Sequence, residues 1–177
     1  MKKVVWENKS NNQLCVTIPK GSGINSGDIV NIEKEKIKRI VYSATTADLF
    51  NYGQLQLLEI ANKEGDFHIC GVLTDKAISN YKKGPIANFE ERKAIITSLR
   101  CVDMVMTQEN LDPTENLKKV HEQFPYAKII IVCGSNWKKV PGGDYVKKIN
   151  GEVIQPPFYK KLSPDTLIKK IIETYGK

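Results

Sequence analysis

Residues 40–64 read IVYSATTADLFNYGQLQLLEIANKE. The stretch opens on the apolar segment Ile40-Val41-Tyr42-Ser43, which predicts a buried strand. Small, polar and hydroxyl residues follow, and Leu55, Leu58 and Ala61 then fall on one face of a helix that we predict over residues 53–64. A buried strand, a loop and an amphipathic helix in this order are the first half of a strand–helix–strand unit.

The same alternation continues to the end of the chain. Further strands are predicted at residues 67–73, 102–106, 128–133 and 152–154. The helices between and after them are indicated by end signals, which are Gly65 as a C-cap, the capping box Asn88-Phe89-Glu90-Glu91, Asp112-Pro113-Thr114-Glu115 with proline at the first helical position, and Ser163-Pro164-Asp165-Thr166. Strands that alternate with helices are joined by right-handed crossovers into a parallel sheet. The sequence therefore predicts an α/β domain at residues 39–177 with a Rossmann-like, doubly wound, parallel five-stranded sheet.

Residues 1–38 have a different pattern, which predicts a small β-rich module. Short strands are expected at Val4-Val5-Trp6, at residues 13–18 and at residues 29–32, with glycine-rich turns between them. On residues 13–20 and 27–32 this segment resembles the AbrB-type swapped-hairpin module, which implies dimerisation by strand exchange and DNA binding through basic side chains. The alternative is an extension that packs on the main domain or dimerises without touching DNA. We favour the alternative, because so short a segment builds little core alone.

Size and composition fit a globular protein. The chain has 177 residues and no apolar run near the roughly 20 residues that cross a bilayer. No apolar segment of a secretory signal follows Met1, so we expect a cytoplasmic protein. The net charge of +7 is densest in residues 1–40 and fits a phosphate-bearing partner, DNA or solubility alone. The four cysteines have no metal-ligand spacing, so we expect buried, reduced thiols and no metal site made by the protein.

Residues 43–54 are the first candidate for chemistry, because they join a buried strand to the start of a helix. Free backbone N–H groups and the positive helix end favour phosphate at such a place. Small and hydroxyl residues at 43–46 allow a phosphate chain to come close. Ligands of parallel sheets bind beyond the carboxyl ends of the strands, at the topological switch point. We therefore predict a phosphate site at this loop.

Residues 46–58, Gly65-Asp66 and residues 71–75 resemble the opening of the cytidylyltransferases that act on glycerol-3-phosphate, choline-phosphate and phosphoethanolamine. Further matches at family-like spacing extend the resemblance over residues 39–175, and they are Lys82-Lys83-Gly84-Pro85, Phe89-Glu90-Glu91-Arg92, Val102-Asp103 and Gly134-Ser135-Asn136-Trp137. The resemblance implies transfer of a nucleoside monophosphate from CTP, or another nucleoside triphosphate, to a small phosphorylated acceptor, with release of pyrophosphate. It also implies Mg²⁺ with the nucleotide and a homodimer.

The chain departs from this family at the phosphate-facing motifs. Asn51 and Gln54 stand where the family has two histidines that stabilise charge on the triphosphate. Both amides can donate hydrogen bonds, but neither carries a positive charge, and loss of one such group typically costs roughly 10²–10³ in rate. Other departures are Ala47 for a phenylalanine, Ser135-Asn136 for two acids, Phe158 for an arginine and Pro164-Asp165 for two threonines.

The candidate catalytic residues implied by the resemblance are Asn51, Gln54 and Lys83. The candidate nucleotide-binding residues are Thr45, Thr46, Asp48, Gly53, Lys82, Arg92, Trp137, Lys160, Ser163 and Thr166. Structural alternatives remain open for several: Asp48 can hold the loop, Arg92 can form an ion pair, and Trp137 can simply pack. His68 and His121 are expected to be structural. Three functions also remain open: an active transferase, a degenerate relative that binds a nucleotide or phosphorylated ligand, and a regulator with a dimerising or DNA-binding N-terminal module.

Overall fold

The computed structural model describes residues 6–8, 10, 13–19, 21–30, 37–157, 159 and 161–176. The chain divides into two compact units, Met1–Lys36 and Ile37–Lys177. In the first unit, strands β1 (Trp6–Asn8) and β2 (Gln13–Cys15) pair in antiparallel orientation, with Trp6 opposite Cys15.

Two strand predictions for the N-terminal unit are wrong in part. The strand expected over residues 13–18 ends at Cys15, and Ile29-Val30 is not in a strand. Ile18 and Ile29 are exposed, so neither segment has an apolar face that would hold it against a neighbouring strand. Val4-Val5 and Asn31-Ile32, which were also expected in strands, lie outside the described residues.

The second unit is built on a five-stranded sheet. Its strands are β3 (Arg39–Thr45), β4 (Phe67–Leu73), β5 (Met104–Gln108), β6 (Lys128–Val132) and β7 (Glu152–Ile154). Their spatial order is β5-β4-β3-β6-β7, and every neighbouring pair is parallel. The predicted fold class is therefore confirmed. The chain runs outward from β3 to β5 and then crosses back to β6, which places the topological switch point between β3 and β6.

In the part of the chain that the structure describes, six helices accompany the sheet: α1 (Tyr52–Lys63), α2 (Asp75–Ser79), α3 (Phe89–Thr97), α4 (Thr114–Gln123), α5 (Gly143–Lys148) and α6 (Pro164–Tyr175). The short helices α2 and α5 were not predicted, because five or six residues are too few to show a helical period. Pro113 is the N-cap of α4 and not its first helical residue. Strand β5 starts two residues later than predicted, because residues 99–103 form a turn in which the N–H of Val102 donates to Leu99.

Gly65 has a different role from the predicted one. The C-cap of α1 is Glu64. A Cβ on Gly65 would lie 2.7 Å from Cγ2 of Val41 and 2.8 Å from the carbonyl oxygen of Arg39. The close approach of the α1–β4 turn to β3 therefore requires glycine here.

The core lies on both faces of the sheet, because successive residues of a strand point to opposite sides. Ile40 and Tyr42 pack with Leu117 and Val120 of α4 and Val146 of α5. On the other face, the α1 and α3 residues Ala61, Leu58 and Ile96 pack against Val41, Cys70 and Val72. A sheet covered on both faces favours strands that are nearly continuous apolar runs, and β4 is such a run apart from His68, whose ring is hydrogen-bonded within the protein.

Across the part of the chain that the structure describes, the helices are too short or too polar to cross a bilayer.

Candidate functional site

A cleft opens at the carboxyl edge of the sheet, between the ends of β3 and β6. We call it the switch-point cleft. It encloses about 120 Å³. It is lined by Ala44 near the end of β3, by Asn51, Gly53, Gln54, Gln56, Leu57 and Ile60 at α1, by Cys133, Gly134, Asn136 and Trp137 after β6, and by Pro157, Tyr159, Leu162, Ser163 and Pro164. This is the place in an open α/β sheet where ligands bind.

Asn51 and Gln54 form a capping box at the start of α1. The Asn51 Oδ1 accepts from the N–H of Gly53 at 3.0 Å, and its Nδ2 donates to the carbonyl of Leu49 at 3.0 Å. The Gln54 Oε1 accepts from the N–H of Asn51 at 3.2 Å, and its Nε2 lies 3.5 Å from the carbonyl of Asp48. The side chains of Asn51 and Gln54, at the family's histidine positions, thus accept hydrogen bonds from backbone N–H groups at the start of α1. Among the described residues each amide nitrogen makes one such contact, which leaves a second N–H that a ligand can use.

The start of α6 borders the same cleft and is capped in the same way. The Ser163 Oγ accepts from the N–H of Thr166 at 3.2 Å, and the N–H of Ser163 donates to Thr166 Oγ1 at 2.7 Å. Pro164 follows and has no N–H to offer, and Asp165 places a negative charge in the first turn. The N-termini of α1 and α6 therefore both face the cleft. At each of them, a capping side chain already accepts a hydrogen bond from one of the helix's first backbone N–H groups.

The loop between β3 and α1 is fixed by local hydrogen bonds. The Thr45 Oγ1 accepts from the N–H of Ala47 at 3.0 Å, and the Thr46 Oγ1 lies 3.5 Å from the N–H of Asp48. Ala47 and Leu49 have φ angles of 55° and 47°, a left-handed conformation that is uncommon without glycine. Such backbone persists only where the surroundings hold it, and here a buried carboxylate does so.

That carboxylate belongs to a group that we call the charged clamp, formed by Asp48, Asp75 and Arg92. Asp48 is only 7% exposed, and its Oδ1 accepts from the N–H groups of residues 86 and 87, both at 3.1 Å. Arg92 is completely buried. Its guanidinium donates to the carbonyl of residue 87 at 3.0 Å, to Asp75 Oδ1 at 2.7 Å and to the carbonyl of Thr46. The clamp joins the β3–α1 loop to the segment before α3.

The structure brings only some of the predicted site residues to the cleft. Asn51, Gly53, Gln54, Trp137 and Ser163 line it. The lining does not include five other predicted residues, which instead make the hydrogen bonds described above: Thr45, Thr46, Asp48, Arg92 and Thr166. Lys82 and Lys83 are exposed in the segment after α2 and do not line the cleft. Lys160 and Phe158 lie outside the described residues.

Sequence reasoning missed the aromatic contact between Tyr52 and Tyr159. Their ring centroids are 5.2 Å apart at an interplanar angle of 78°, an edge-to-face arrangement. Gly53, the residue after Tyr52, lies close to the same segment: a Cβ on it would lie 2.9 Å from the Leu162 carbonyl oxygen and 3.3 Å from Cδ1 of Tyr159. Tyr52 belongs to the motif at residues 51–54, but no local sequence pattern predicts that its ring contacts Tyr159.

His68 lies beneath the site and is bonded within the protein. Its Nδ1 is 2.6 Å from the carbonyl of Cys101, and its Nε2 is 2.8 Å from Ser43 Oγ. A carbonyl can only accept, so Nδ1 carries the proton and Nε2 accepts from the hydroxyl. Burial lowers the pKa of His68, and with 1% of its surface exposed the ring cannot reach a ligand.

The four cysteines form no disulfides, and among them only Cys70 is buried. Burial raises the pKa of Cys70 to about 12. Cys15, Cys101 and Cys133 are half-buried, so the expectation of buried thiols is correct for Cys70 alone.

The described residues contain no cluster of three or more His, Cys, Asp or Glu side chains that could hold a metal. The buried carboxylate of the clamp is already occupied by backbone N–H groups. Magnesium is commonly held by substrate phosphates together with one or two carboxylates. The residues present therefore fit Mg²⁺ only as a companion of a nucleotide.

The family model described as Cytidylyltransferase-like matches residues 42–149, which is more than half of the chain. The chain belongs to this family. It is similar to the Bifunctional protein HldE of Trichlorobacter lovleyi, with 28% identity over 152 residues that cover 84% of this chain and 30% of that protein. The HldE of Gluconobacter oxydans is 27% identical over 135 residues, covering 74% and 27% respectively. The chain thus spans about 30% of the length of these curated relatives.

Among solved structures, the lipopolysaccharide core biosynthesis protein from Thermoplasma volcanium GSS1 is similar in fold. The TM-score is 0.56 at 23% identity, over 69% of this chain and 98% of that one. This similarity agrees with the α/β architecture of the second unit.

Proposed function

We propose that the α/β domain binds a nucleotide in the switch-point cleft and carries out the family's transfer reaction at a strongly reduced rate. The observation that carries the proposal is the position of Asn51 and Gln54. They lie at the helix start that faces the cleft, and their side chains are neutral and engaged in capping α1.

In the proposed reaction, a phosphate oxygen of a small acceptor attacks the α-phosphorus of CTP or another nucleoside triphosphate. The new oxygen–phosphorus bond forms as the bond to the β-phosphate breaks, and pyrophosphate leaves with the negative charge. Mg²⁺ would enter with the nucleotide. Stabilisation of the developing charge is usually the largest catalytic contribution, and amide N–H donors supply less of it than imidazolium groups.

The second candidate is an active transferase with altered phosphate contacts. Lys82 and Lys83 favour it, because both side chains are exposed in the segment that follows β4 and α2, toward the carboxyl edge of the sheet. A lysine there can neutralise a phosphate once a nucleotide or acceptor is bound. In this candidate, the lysines replace the charge that the family's histidines provide.

The test restores the two histidines. We expect the full chain to release little pyrophosphate from CTP or ATP with Mg²⁺ and a panel of phosphorylated alcohols and phosphonates. The double variant Asn51→His/Gln54→His should release it at least about tenfold faster, since one such group is typically worth roughly 10²–10³ in rate. Gln56→His is the matched control, because it adds a histidine to the same helix and the same cleft.

The outcomes separate the two candidates. Rapid release by the unmodified chain, abolished by Lys83→Ala, would favour the active transferase. A double variant no faster than Gln56→His would contradict the proposed role of positions 51 and 54. Absence of any thermal shift with nucleotides in the unmodified chain would contradict nucleotide binding itself.

For residues 1–38 we propose a dimerising role, with DNA binding as the less favoured alternative. The support is the β1–β2 hairpin, which is too small for a core of its own. Light scattering of the full chain should give twice the monomer mass. Salt-dependent binding to duplex DNA would instead support the regulator hypothesis.

A further inference from the structure

The loop at residues 134–137, which follows β6, forms one wall of the switch-point cleft. Two backbone hydrogen bonds tie the first half of this loop to the segment at the end of β7. The N–H of Cys133 donates to the Ile154 carbonyl at 3.0 Å, and the N–H of Ser135 donates to the Pro156 carbonyl at 3.1 Å. These bonds continue the pairing of β6 with β7 past the ends of both strands.

The second half of the loop is held by the side chain of Gln155, the first residue after β7. Its Nε2 donates to the carbonyl oxygen of Trp137 at 2.9 Å and lies 3.4 Å from that of Gly134. A side-chain amide has two N–H groups, so one nitrogen can serve both carbonyls. The N–H of Trp137 also donates to the Gly134 carbonyl, at 3.3 Å. Gln155 therefore links the two ends of the turn that carries Trp137.

Gln155 itself stands outside the cleft. It is exposed and is not among the lining residues, whereas Trp137 is half-buried and lines the cleft. The backbone on either side of Gln155 is fixed, because Ile154 ends β7 and the buried Pro156 accepts from Ser135. Without the amide, the loop would populate other positions. The apparent affinity of a ligand would then fall with the fraction of molecules in which the wall is in place.

We infer that Gln155 is a positioning residue for nucleotide binding. Its amide keeps Trp137 in the wall of the switch-point cleft, where the indole contacts the bound nucleotide, and an aromatic side chain can stack on any base. The inference rests on the proposed nucleotide-binding function and adds the residue that holds one wall of that site. It concerns affinity and leaves the groups at the start of α1 to act on the phosphates.

Calorimetric titration of the full chain with CTP and ATP, each with Mg²⁺, tests the inference. Gln155→Met keeps the length of the side chain and removes its amide, and Gln155→Ala removes both. Each variant should raise the Kd of the nucleotide that the unmodified chain binds by about three- to tenfold, the loss expected for a typical hydrogen bond. Gln123→Ala is the matched control, because Gln123 is an exposed glutamine at the end of α4, toward the amino edge of the sheet.

Fluorescence reports the position of Trp137 directly. The chain has two tryptophans, so Trp6→Phe leaves Trp137 as the sole indole emitter. In that background, Gln155→Met should increase the quenching of Trp137 by acrylamide, while the melting temperature changes by no more than about 2 °C, as for other exposed positions. A residue with a merely structural role would lower the melting temperature and leave the quenching unchanged.

The outcomes separate the inference from the proposed function. If the unmodified chain binds a nucleotide, unchanged binding or unchanged quenching in Gln155→Met would overturn the inference and leave the proposed function standing. Weaker binding together with a melting temperature lowered by more than about 5 °C would also overturn it, because the loss would then follow from a less stable fold. No binding of CTP or ATP to the unmodified chain would contradict the proposed function and the inference with it.

Discussion

The charged clamp and the switch-point cleft lie at the same edge of one sheet and use polar residues in opposite ways. The clamp is charged, buried and bonded to the protein: Arg92 is fully buried and donates to three protein oxygens. The cleft is open, and those of its lining residues that the structure describes are uncharged; the Asn51 and Gln54 amides bond to the nearest backbone, and each keeps a second N–H group. The comparison shows that the Asp48 carboxylate and the Arg92 guanidinium hold loops in place, and that neither group lines the cleft.

The difference also explains what the family motif retains in this chain. Asp48 and Arg92 persist from the resemblance, and both have structural partners that hold the loops around the site. The two histidines do not persist, and their replacements preserve only the helix start, which an amide caps well. Two positions that hold loops are therefore kept, and the two histidine positions at the helix start are changed.

The largest expected effect is on the clamp. Arg92→Ala should lower the free energy of unfolding by about 3–5 kcal/mol, because it leaves buried carbonyl groups and part of Asp75 without a partner. Arg92→Lys should recover only part, since an ammonium group does not present the planar fork of donors that a guanidinium does. Urea denaturation of the full chain measures both.

Lys169→Ala is the control for that experiment. Lys169 forms an exposed ion pair with Glu173 at 3.7 Å, and such pairs contribute about 0–1 kcal/mol. Equal, small losses for Arg92→Ala and Lys169→Ala would remove the distinction between a clamp and an ordinary surface charge.

A smaller effect is expected at the rim of the cleft. Gly53→Ala places a Cβ 2.9 Å from the Leu162 carbonyl oxygen, so backbone must move, at a cost of about 1–3 kcal/mol. At Gly84, a Cβ would meet only the Ser79 Oγ at 3.5 Å. Gly84→Ala should therefore leave the melting temperature unchanged or raise it slightly. If both substitutions behave alike in thermal unfolding, the contact between α1 and residues 159–162 is not formed in solution.

The smallest expected effect is a pH dependence of stability. It arises from a buried histidine in β4 and not from the clamp or the cleft. The chain has two histidines, and neither lies in the clamp or the cleft. Burial lowers the pKa of His68, so below its ordinary value near 6.5 the unfolded chain binds a proton that the folded chain does not. Stability is complete above that pH and falls as the pH drops below it. Denaturation midpoints should decrease modestly from pH 7.5 to 5.5.

His68→Gln identifies the source of this slope. The variant should be less stable at pH 7.5, because glutamine cannot reproduce both ring hydrogen bonds, and its midpoint should change less with pH. A slope that persists unchanged in the variant would assign the acid sensitivity to other groups.

Much of the fold was predictable because its signals are local. The strand at 67–73, the capping box at Asn88 and the helix start at Ser163 are found where the sequence places them. The errors have two origins: Gly65 is required by a contact with the distant strand β3, whereas the start of β5 is delayed by a local turn at residues 99–103 that the hydrophobic pattern does not show. At the site, positions 51 and 54 were identified from the motif, whereas Tyr159 and Gln56 were not, because neither has a local signature.

The sequence by itself determined the alternation of strands and helices, the parallel sheet and the loop at which a phosphate site is expected. Each of these follows from hydrophobic period, capping residues and turn residues within a few positions of one another. Only the structure decided that Asn51 and Gln54 cap α1, that Arg92 donates to carbonyl groups and to Asp75, and that the described residues of the cleft lining are uncharged. The Arg92 contacts and the cleft lining depend on groups from distant parts of the chain, and partners at that range leave no periodic trace in the sequence. The capping box of Asn51 and Gln54 is local, and the structure shows which hydrogen bonds its side chains make.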